Sequence, residues 1–273
     1  MKRLLSLFVS ILLAYLLVLV VIRMFESRLI FFPNYPGRLD GDWHPSGLNV
    51  EDVWLTASDG VKLHAWWIPD DKARFAVLAF HGNASNIANR APTYEFLRES
   101  HVNILALEYR GYGRSEGKPS ESGIYLDAEA AYDFLVKSKG IDSRMVVSFG
   151  QSLGSAVATH LATRRQVGGV VLEAPFPSAS RMANKVFWFF PGLSLLTYGQ
   201  FDTGTWLKRI HAPVLIVHCS EDPVIPFEFG REVFEQALPP KSFLEVNGYC
   251  HEESSTIAPA RYRAVLQEFL NGL

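Results

Sequence analysis

Two stretches of the chain carry the pattern Gly-x-Ser-x-Gly, Gly113-Arg114-Ser115-Glu116-Gly117 and Gly150-Gln151-Ser152-Leu153-Gly154. The pattern matters chemically when it joins a strand to a helix through a tight corner, because the serine hydroxyl then stands clear of the sheet as a nucleophile. The second stretch has that context. The apolar run Met145-Val146-Val147-Ser148-Phe149 leads into it, and Leu153, Ala156, Val157, His160 and Leu161 follow at three- and four-residue steps, the spacing of one helix face. Gly150 and Gly154 fit the places where strand and helix pass too close for side chains. The first stretch also follows an apolar run, but Gly117, Lys118 and Pro119 come next and would break a helix. Ser152 is therefore the candidate nucleophile, and Ser115 is not.

A serine hydroxyl at neutral pH needs a base within hydrogen-bond reach, and that base needs an acid to orient it. The candidates are His251, in Asn247-Gly248-Tyr249-Cys250-His251, and Asp222, in Ser220-Glu221-Asp222-Pro223; each follows an apolar strand-like run. The order Ser, Asp, His is expected when the three occupy successive loops at one end of a sheet. Glu221 is the rival acid, and Pro223 and Pro226 favour Asp222 by suggesting a fixed turn around it. Among other histidines, His218 falls inside a strand pattern, His160 lies in the helix after Ser152, and His81 in His81-Gly82-Asn83 reads as a prop for its loop. An oxyanion would take one N–H from Leu153, at the start of a helix, and a second from Asn83, in the loop after the third strand.

These residues need a scaffold that brings distant loops together. Val50 to Thr56 and Val61 to Ile68 flank Ser58-Asp59-Gly60 and read as a hairpin at a sheet edge. Apolar runs then alternate with helical patterns. The runs are Phe75–Phe80, Val102–Glu108, Met145–Phe149, Gly169–Leu172, Val214–Val217 and Ser242–Val246. Helices are predicted near Ile87–Glu99, Gly123–Lys139, Phe227–Ala237 and Ser255–Leu270. Runs apolar on both faces imply strands covered by helices on both sides, hence an α/β fold with an open, mostly parallel sheet. Between residues 175 and 210 the alternation gives way to large apolar residues, including Phe176, Trp188, Phe189, Phe190, Leu195, Leu196, Tyr198 and Trp206. An insertion after the sixth strand lies at the ligand-binding edge of such a sheet and reads as a short cap.

The chain has 273 residues and a formal charge of −2, which leaves no electrostatic footprint for nucleic acid. Leu4 to Ile22 carries no charge and would form about 28 Å of helix, enough to cross a bilayer. A cleaved signal peptide would have a shorter apolar region and a small-x-small site, which Val20-Val21-Ile22-Arg23 does not offer, so an uncleaved single-pass anchor is expected. Lys2 and Arg3 before the span place the N-terminus in the cytoplasm and the remaining chain outside it, against the opposing bias of Arg23 and Arg28. Leu29 to Pro36 is apolar, aromatic and broken by proline. It either lies along the membrane interface or tucks into the core. The expected organisation is an anchor over 1–28, a juxtamembrane segment over 29–49 and a catalytic domain over 50–273.

With these residues in place, the chain from Val50 onward resembles the α/β-hydrolase superfamily. The resemblance rests on His81-Gly82-Asn83-Ala84, Tyr109 to Ser115, the turn at Ser152, Glu173-Ala174-Pro175-Phe176, and Pro213 to Phe227 with Asp222. Taken with the apolar span, the chain is similar to the membrane-anchored serine hydrolases that include protein depalmitoylases and bacterial esterases. The resemblance implies cleavage of an ester or thioester, on acylated or lipid-like substrates, without metal or organic cofactor. A peptidase, a small-ester carboxylesterase and an inert binding protein at a membrane are the alternatives, and no protein partner is named by the sequence. Relatives usually have glycine where this chain has Cys219 and Cys250, its only cysteines. If Asp222 and His251 are hydrogen-bonded, the loops carrying the cysteines lie side by side. A disulfide is then sterically possible, and two buried free thiols are the other outcome.

Overall fold

The computed structural model describes residues 2–33, 35, 44–190 and 200–273. The chain begins with α1 (Lys2–Met24), whose leucines and valines point outward with no protein over them; Leu19 is its one buried residue. By length and composition α1 is able to cross a membrane. A short helix, α2 (Glu26–Ile30), follows at once.

The hairpin forms as β1 (Glu51–Thr56) and β2 (Lys62–Ile68), antiparallel, with β1 at the sheet edge. Then come β3 (Phe75–Phe80), α3 (Ala91–Arg98), β4 (Val102–Leu107), α4 (Glu121–Asp133), β5 (Val146–Gln151), α5 (Leu153–Arg164) and β6 (Gly169–Glu173). The stretch after β6 supplies α6 (Ala179–Val186) and α7 (Thr203–Leu207), and the chain closes with β7 (Val214–Cys219), α8 (Phe227–Gln236), β8 (Lys241–Val246), α9 (Ser254–Ile257) and α10 (Pro259–Asn271).

The strands form one eight-stranded sheet in the order β1-β2-β4-β3-β5-β6-β7-β8, parallel from β4 to β8. The α/β fold with helices on both faces is thus as expected. Alternation along β3 shows why it forms: Ala76, Leu78 and Phe80 enter one core, while Phe75, Val77 and Ala79 enter the core on the other face. The first contains α4 and α5, the second α3 and α10. The stretch Tyr109 to Ser115 is held by Arg110, whose guanidinium bonds Asp59 at 2.6 and 3.0 Å and the fully buried Asp127 at 2.9 Å. Removing one partner of such a buried pair would leave an uncompensated charge, so the interaction locks the turn after β4 onto α4.

Prolines account for two departures from the predicted helices. The stretch from Ile87 starts as a 3-10 turn and becomes α-helical only at Ala91, with Pro92 in the first turn, where a missing N–H costs nothing. The helix foreseen over Ser255–Leu270 is two, α9 and α10, because Pro259 opens a new helix and Ala258 before it leaves the helical conformation.

The large apolar residues expected to form a cap fall in different surroundings. Leu195, Leu196 and Tyr198 lie outside the described residues. Trp206 is no part of a cap wall; its ring packs at 5.0 Å against His160 of α5 and at 5.6 Å against Tyr125 of α4. Trp188 and Phe189 are exposed, 77% and 55%, while the Phe190 ring stacks at 6.3 Å on Tyr15 of α1. Part of the stretch from Leu29 tucks into the core. Phe31 is buried against Phe201, but Leu29 and Phe32 stay largely exposed.

Candidate active site

Ser152 occupies the turn between β5 and α5 with φ 52° and ψ −117°, a conformation that non-glycine residues hold only under strain. Its N–H donates to Glu173 O at 2.9 Å, and its carbonyl accepts from the Ser155 N–H at 2.9 Å and the Ser155 hydroxyl at 2.6 Å. The flanking glycines are required by close approach. A Cβ on Gly150 would run into the backbone of Gly154 and Ser155, and one on Gly154 into the carbonyls of Phe80 and His81. The turn therefore exists because strand, helix and the end of β3 are pressed together there.

Three residues from three loops meet at this turn. The Ser152 hydroxyl lies 3.0 Å from Nε2 of His251, and His251 Nδ1 lies 2.7 Å from Asp222 Oδ2. Asp222 is itself fixed: its Oδ1 accepts the N–H groups of Val224 at 2.8 Å and Ile225 at 2.9 Å. Burial alone would raise its pKa. The hydrogen bonds from His218 and His251 outweigh that and hold the carboxyl below the usual carboxylate range. For His251, burial pulls the pKa down, but the bond to Asp222 and the negative charges of Glu252, Asp222 and Glu173 carry it above the ordinary value of 6.5. Such an arrangement can take the hydroxyl proton onto Nε2 while an ionised acid steadies Nδ1–H. Glu221, by contrast, is exposed; its N–H donates to Gly248 O at 3.1 Å, and among the described residues its carboxylate makes no hydrogen bond to His251.

Ser115 is remote in role. It is buried, donates to Glu108 O at 2.7 Å and accepts from the His64 N–H at 2.9 Å, bonds that tie β2 to the loop after β4. His81 stays in its loop, with Nδ1 2.7 Å from Gly82 O and its ring against Tyr109.

Asn83 and Leu153 both line the cavity that contains Ser152. Among the described residues neither backbone N–H has an acceptor in the protein. Gly82 makes the approach possible: a Cβ there would overlap the Glu252 carboxylate and come within 3.4 Å of Ser152 Cβ. The Asn83 side chain is spent elsewhere, donating to Ile30 O at 2.9 Å, while the Asn83 backbone carbonyl accepts from Phe32 N at 2.9 Å and from the Tyr112 hydroxyl at 2.7 Å.

Four residues that sequence reasoning passed over complete the site. Glu173, at the end of β6, accepts the Ser254 N–H at 3.0 Å and Gln151 Nε2 at 2.9 Å, and Gln151 also reaches Glu252 O at 3.2 Å. The pair clamps the loop that carries His251. Full burial pushes the Glu173 carboxyl up to about 7, against the lowering effect of its bonds to Ser254 and Gln151. His218, fully buried, puts Nε2 3.4 Å from Asp222 Oδ2 and 3.0 Å from Ile225 O. Glu252 pairs with Arg90 at 2.6 Å. Glu173 and His218 were visible in principle, since each interrupts an otherwise apolar central strand near its C-terminal end, where such sheets bind ligands.

The cysteines resolve in favour of the bridge. Cys219 and Cys250 form a disulfide with Cα atoms 5.6 Å apart, joining the end of β7 to the loop after β8. It ties the Asp222 loop to the His251 loop.

Comparison with known proteins agrees with this architecture. Residues 71–199 match the family described as serine aminopeptidase, S33. The α/β hydrolase domain-containing protein WAV2 of Arabidopsis thaliana is 36% identical over 84% of this chain and 82% of its own length. An uncharacterised protein of Mycobacterium tuberculosis is 32% identical over 84% of this chain and 81% of its own. Among solved structures, the Pyrococcus furiosus esterase Pf2001 superposes with a TM-score of 0.72 at 22% identity, covering 89% of this chain and 98% of that one. An α/β hydrolase from Vibrio vulnificus gives 0.68 at 24% identity, with 81% of each chain covered. The chain belongs to the α/β-hydrolase family.

The bridge predicts a thiol count. Protein purified and unfolded without reductant should show no titratable thiol, and two after reduction. Two thiols before reduction would contradict it.

Proposed function

We propose that this hydrolase cleaves carboxylic esters or thioesters through an acyl-enzyme, with Ser152 as nucleophile, His251 as general base and Asp222 as its orienting acid. The observation that carries this reading is the continuous hydrogen-bonded line from the Ser152 hydroxyl through His251 to the deeply held Asp222 carboxylate. In the first step Ser152 attacks the acyl carbon, its proton passes to His251 Nε2, and the backbone N–H groups of Leu153 and Asn83 receive the oxyanion. The leaving alcohol or thiol takes that proton. Water then repeats the sequence with His251 as base and releases the acid. None of these steps draws on a metal or cofactor.

The cavity supports the substrate class. It has a volume of about 290 Å³, near the lower end for ligand sites, and apart from Ser152, Asn83, Arg23 and Glu26 its lining is apolar, with Phe176, Met182, Val186 and Phe201 among the residues that form it. An acyl chain suits such a lining, at about 0.8 kcal/mol per buried methylene. The fold neighbour from Pyrococcus furiosus is described as an esterase, which agrees with this reading. The family description favours a second reading, an aminopeptidase. A free α-amine needs an available carboxylate, and the one acid among the described lining residues, Glu26, is paired with Arg23 at 3.2 Å. Ester or thioester cleavage is therefore preferred.

In this reading α1 stays attached as a membrane anchor, with the hydrolase domain of residues 50–273 outside the cytoplasm. The packing of Tyr15 on Phe190 supports retention of the helix, and the disulfide supports an oxidising compartment.

Ser152→Ala should lower kcat on p-nitrophenyl esters by at least about 10³-fold with the fold intact, whereas Ser115→Ala should retain the reaction. The reverse pattern would overturn the assignment. Because His251 accepts a proton only when neutral, activity should be full above its pKa and lost as pH falls through it, with the midpoint above 6.5. Glu252→Gln removes a negative charge that raises this pKa, so the limb should move to lower pH. A profile flat down to pH 4 would exclude histidine as the base.

A further inference from the structure

The anchor does not end where the catalytic cavity begins. Ile22, in the last turn of α1, and Leu29 and Ile30 of α2 line the same cavity as Ser152, together with Met182 and Val186 of α6. The segment is also bonded into the site: Ile30 O accepts from the Asn83 side chain at 2.9 Å, and Phe32 N donates to Asn83 O at 2.9 Å. Phe32 forms a parallel bridge with Ala84, the residue after Asn83, and Phe31 is buried against Phe201. A tether that served only to hold the protein at a membrane would need none of these contacts.

Ile22 is the last apolar residue before Arg23, so on the anchor reading it marks the level at which the bilayer ends. A cavity walled by Ile22 reaches that level. An acyl chain moving from the hydrocarbon region toward Ser152 along Ile22 and Leu29 would then meet mainly apolar side chains, with the Arg23–Glu26 ion pair as the charged part of the lining. Beyond α6, Trp188 and Phe189 expose large aromatic surface next to Phe190, which itself rests on Tyr15 of α1.

We propose that the segment Ile22 to Ile30 is the specificity-determining wall of the substrate site, with Ile22 and Leu29 setting acyl-chain length and the chain entering from the bilayer beside the anchor. The proposal rests on the serine-hydrolase reading above and assigns the anchor a part in substrate selection. It also accounts for the bonds between Ile30, Phe32 and Asn83, since they fix the wall relative to the N–H that would receive the oxyanion.

The test uses the full chain in lipid nanodiscs and reads the ratio of kcat/KM for octanoyl to acetyl p-nitrophenyl esters. Leu29→Trp, which fills the cavity, should lower that ratio at least tenfold, and Ile22→Trp should do the same. Leu29→Ala, which enlarges the cavity and is gentler on folding, should raise the dodecanoyl to octanoyl ratio. Leu13→Trp, on an exposed part of α1 away from the cavity, should leave the ratios unchanged. If the three wall variants keep the parent ratios, or if Leu13→Trp moves them equally, the wall assignment is wrong. If Ser152→Ala still turns over both esters in the same assay, the serine-hydrolase reading falls and this inference with it. Loss of turnover in Ser152→Ala with unchanged ratios in the wall variants would overturn the wall alone.

Discussion

Ser152 is held in a backbone conformation that costs an L-residue about 1 to 3 kcal/mol, and the surrounding structure has to supply that energy. It does so by pressing β5, α5 and the end of β3 together until only glycine fits at 150 and 154. The parallel sheet is what makes this possible. Parallel strands start together and end together, so the loops after β3, β5, β6, β7 and β8 all open on one edge. Asn83, Ser152, Asp222 and His251, scattered over 169 positions of sequence from 83 to 251, become neighbours for that reason alone.

Precision beyond neighbourhood comes from a layer behind them. Glu173 and Gln151 clamp the His251 loop from the sheet side, the Cys219–Cys250 bridge ties it to the Asp222 loop, and the Val224 and Ile225 N–H groups fix the Asp222 carboxylate. A closed loop of this length limits the unfolded chain enough to stabilise the fold by about 3 to 4 kcal/mol on the chain-entropy account. The bridge also joins the two loops whose separation must stay at hydrogen-bond length. On the opposite side the segment after α1 performs a similar service for Asn83.

The sheet was legible because both-face apolar runs such as Phe75–Phe80 admit few other placements. The turn at Ser152 was legible because its glycines are demanded by backbone contact, and the rejection of Ser115 because Gly117-Lys118-Pro119 cannot open a helix. Contacts between segments far apart in sequence were not. Nothing near Ile30 announces that its carbonyl meets the side chain of Asn83, and nothing in Trp206 tells a cap residue from one packed on His160. The clamp at Glu173 lay between these cases. A carboxylate closing Gly169-Val170-Val171-Leu172 is a visible anomaly, but its partner, the Ser254 N–H, belongs to a turn that local pattern placed only loosely. Pro259 was likewise in plain view, and its consequence for the last helix follows from φ restriction alone.

The central claim is that the Ser152 hydroxyl is activated by His251. Its most direct test is to treat the folded full-length protein with an alkyl fluorophosphonate and locate the adduct by peptide mass spectrometry. The account predicts one phosphonyl group on the peptide carrying Ser152, absent from the Ser115 peptide and lost in His251→Gln. A folded protein that stays unmodified, or an adduct on Ser152 that forms equally fast without His251, would contradict it.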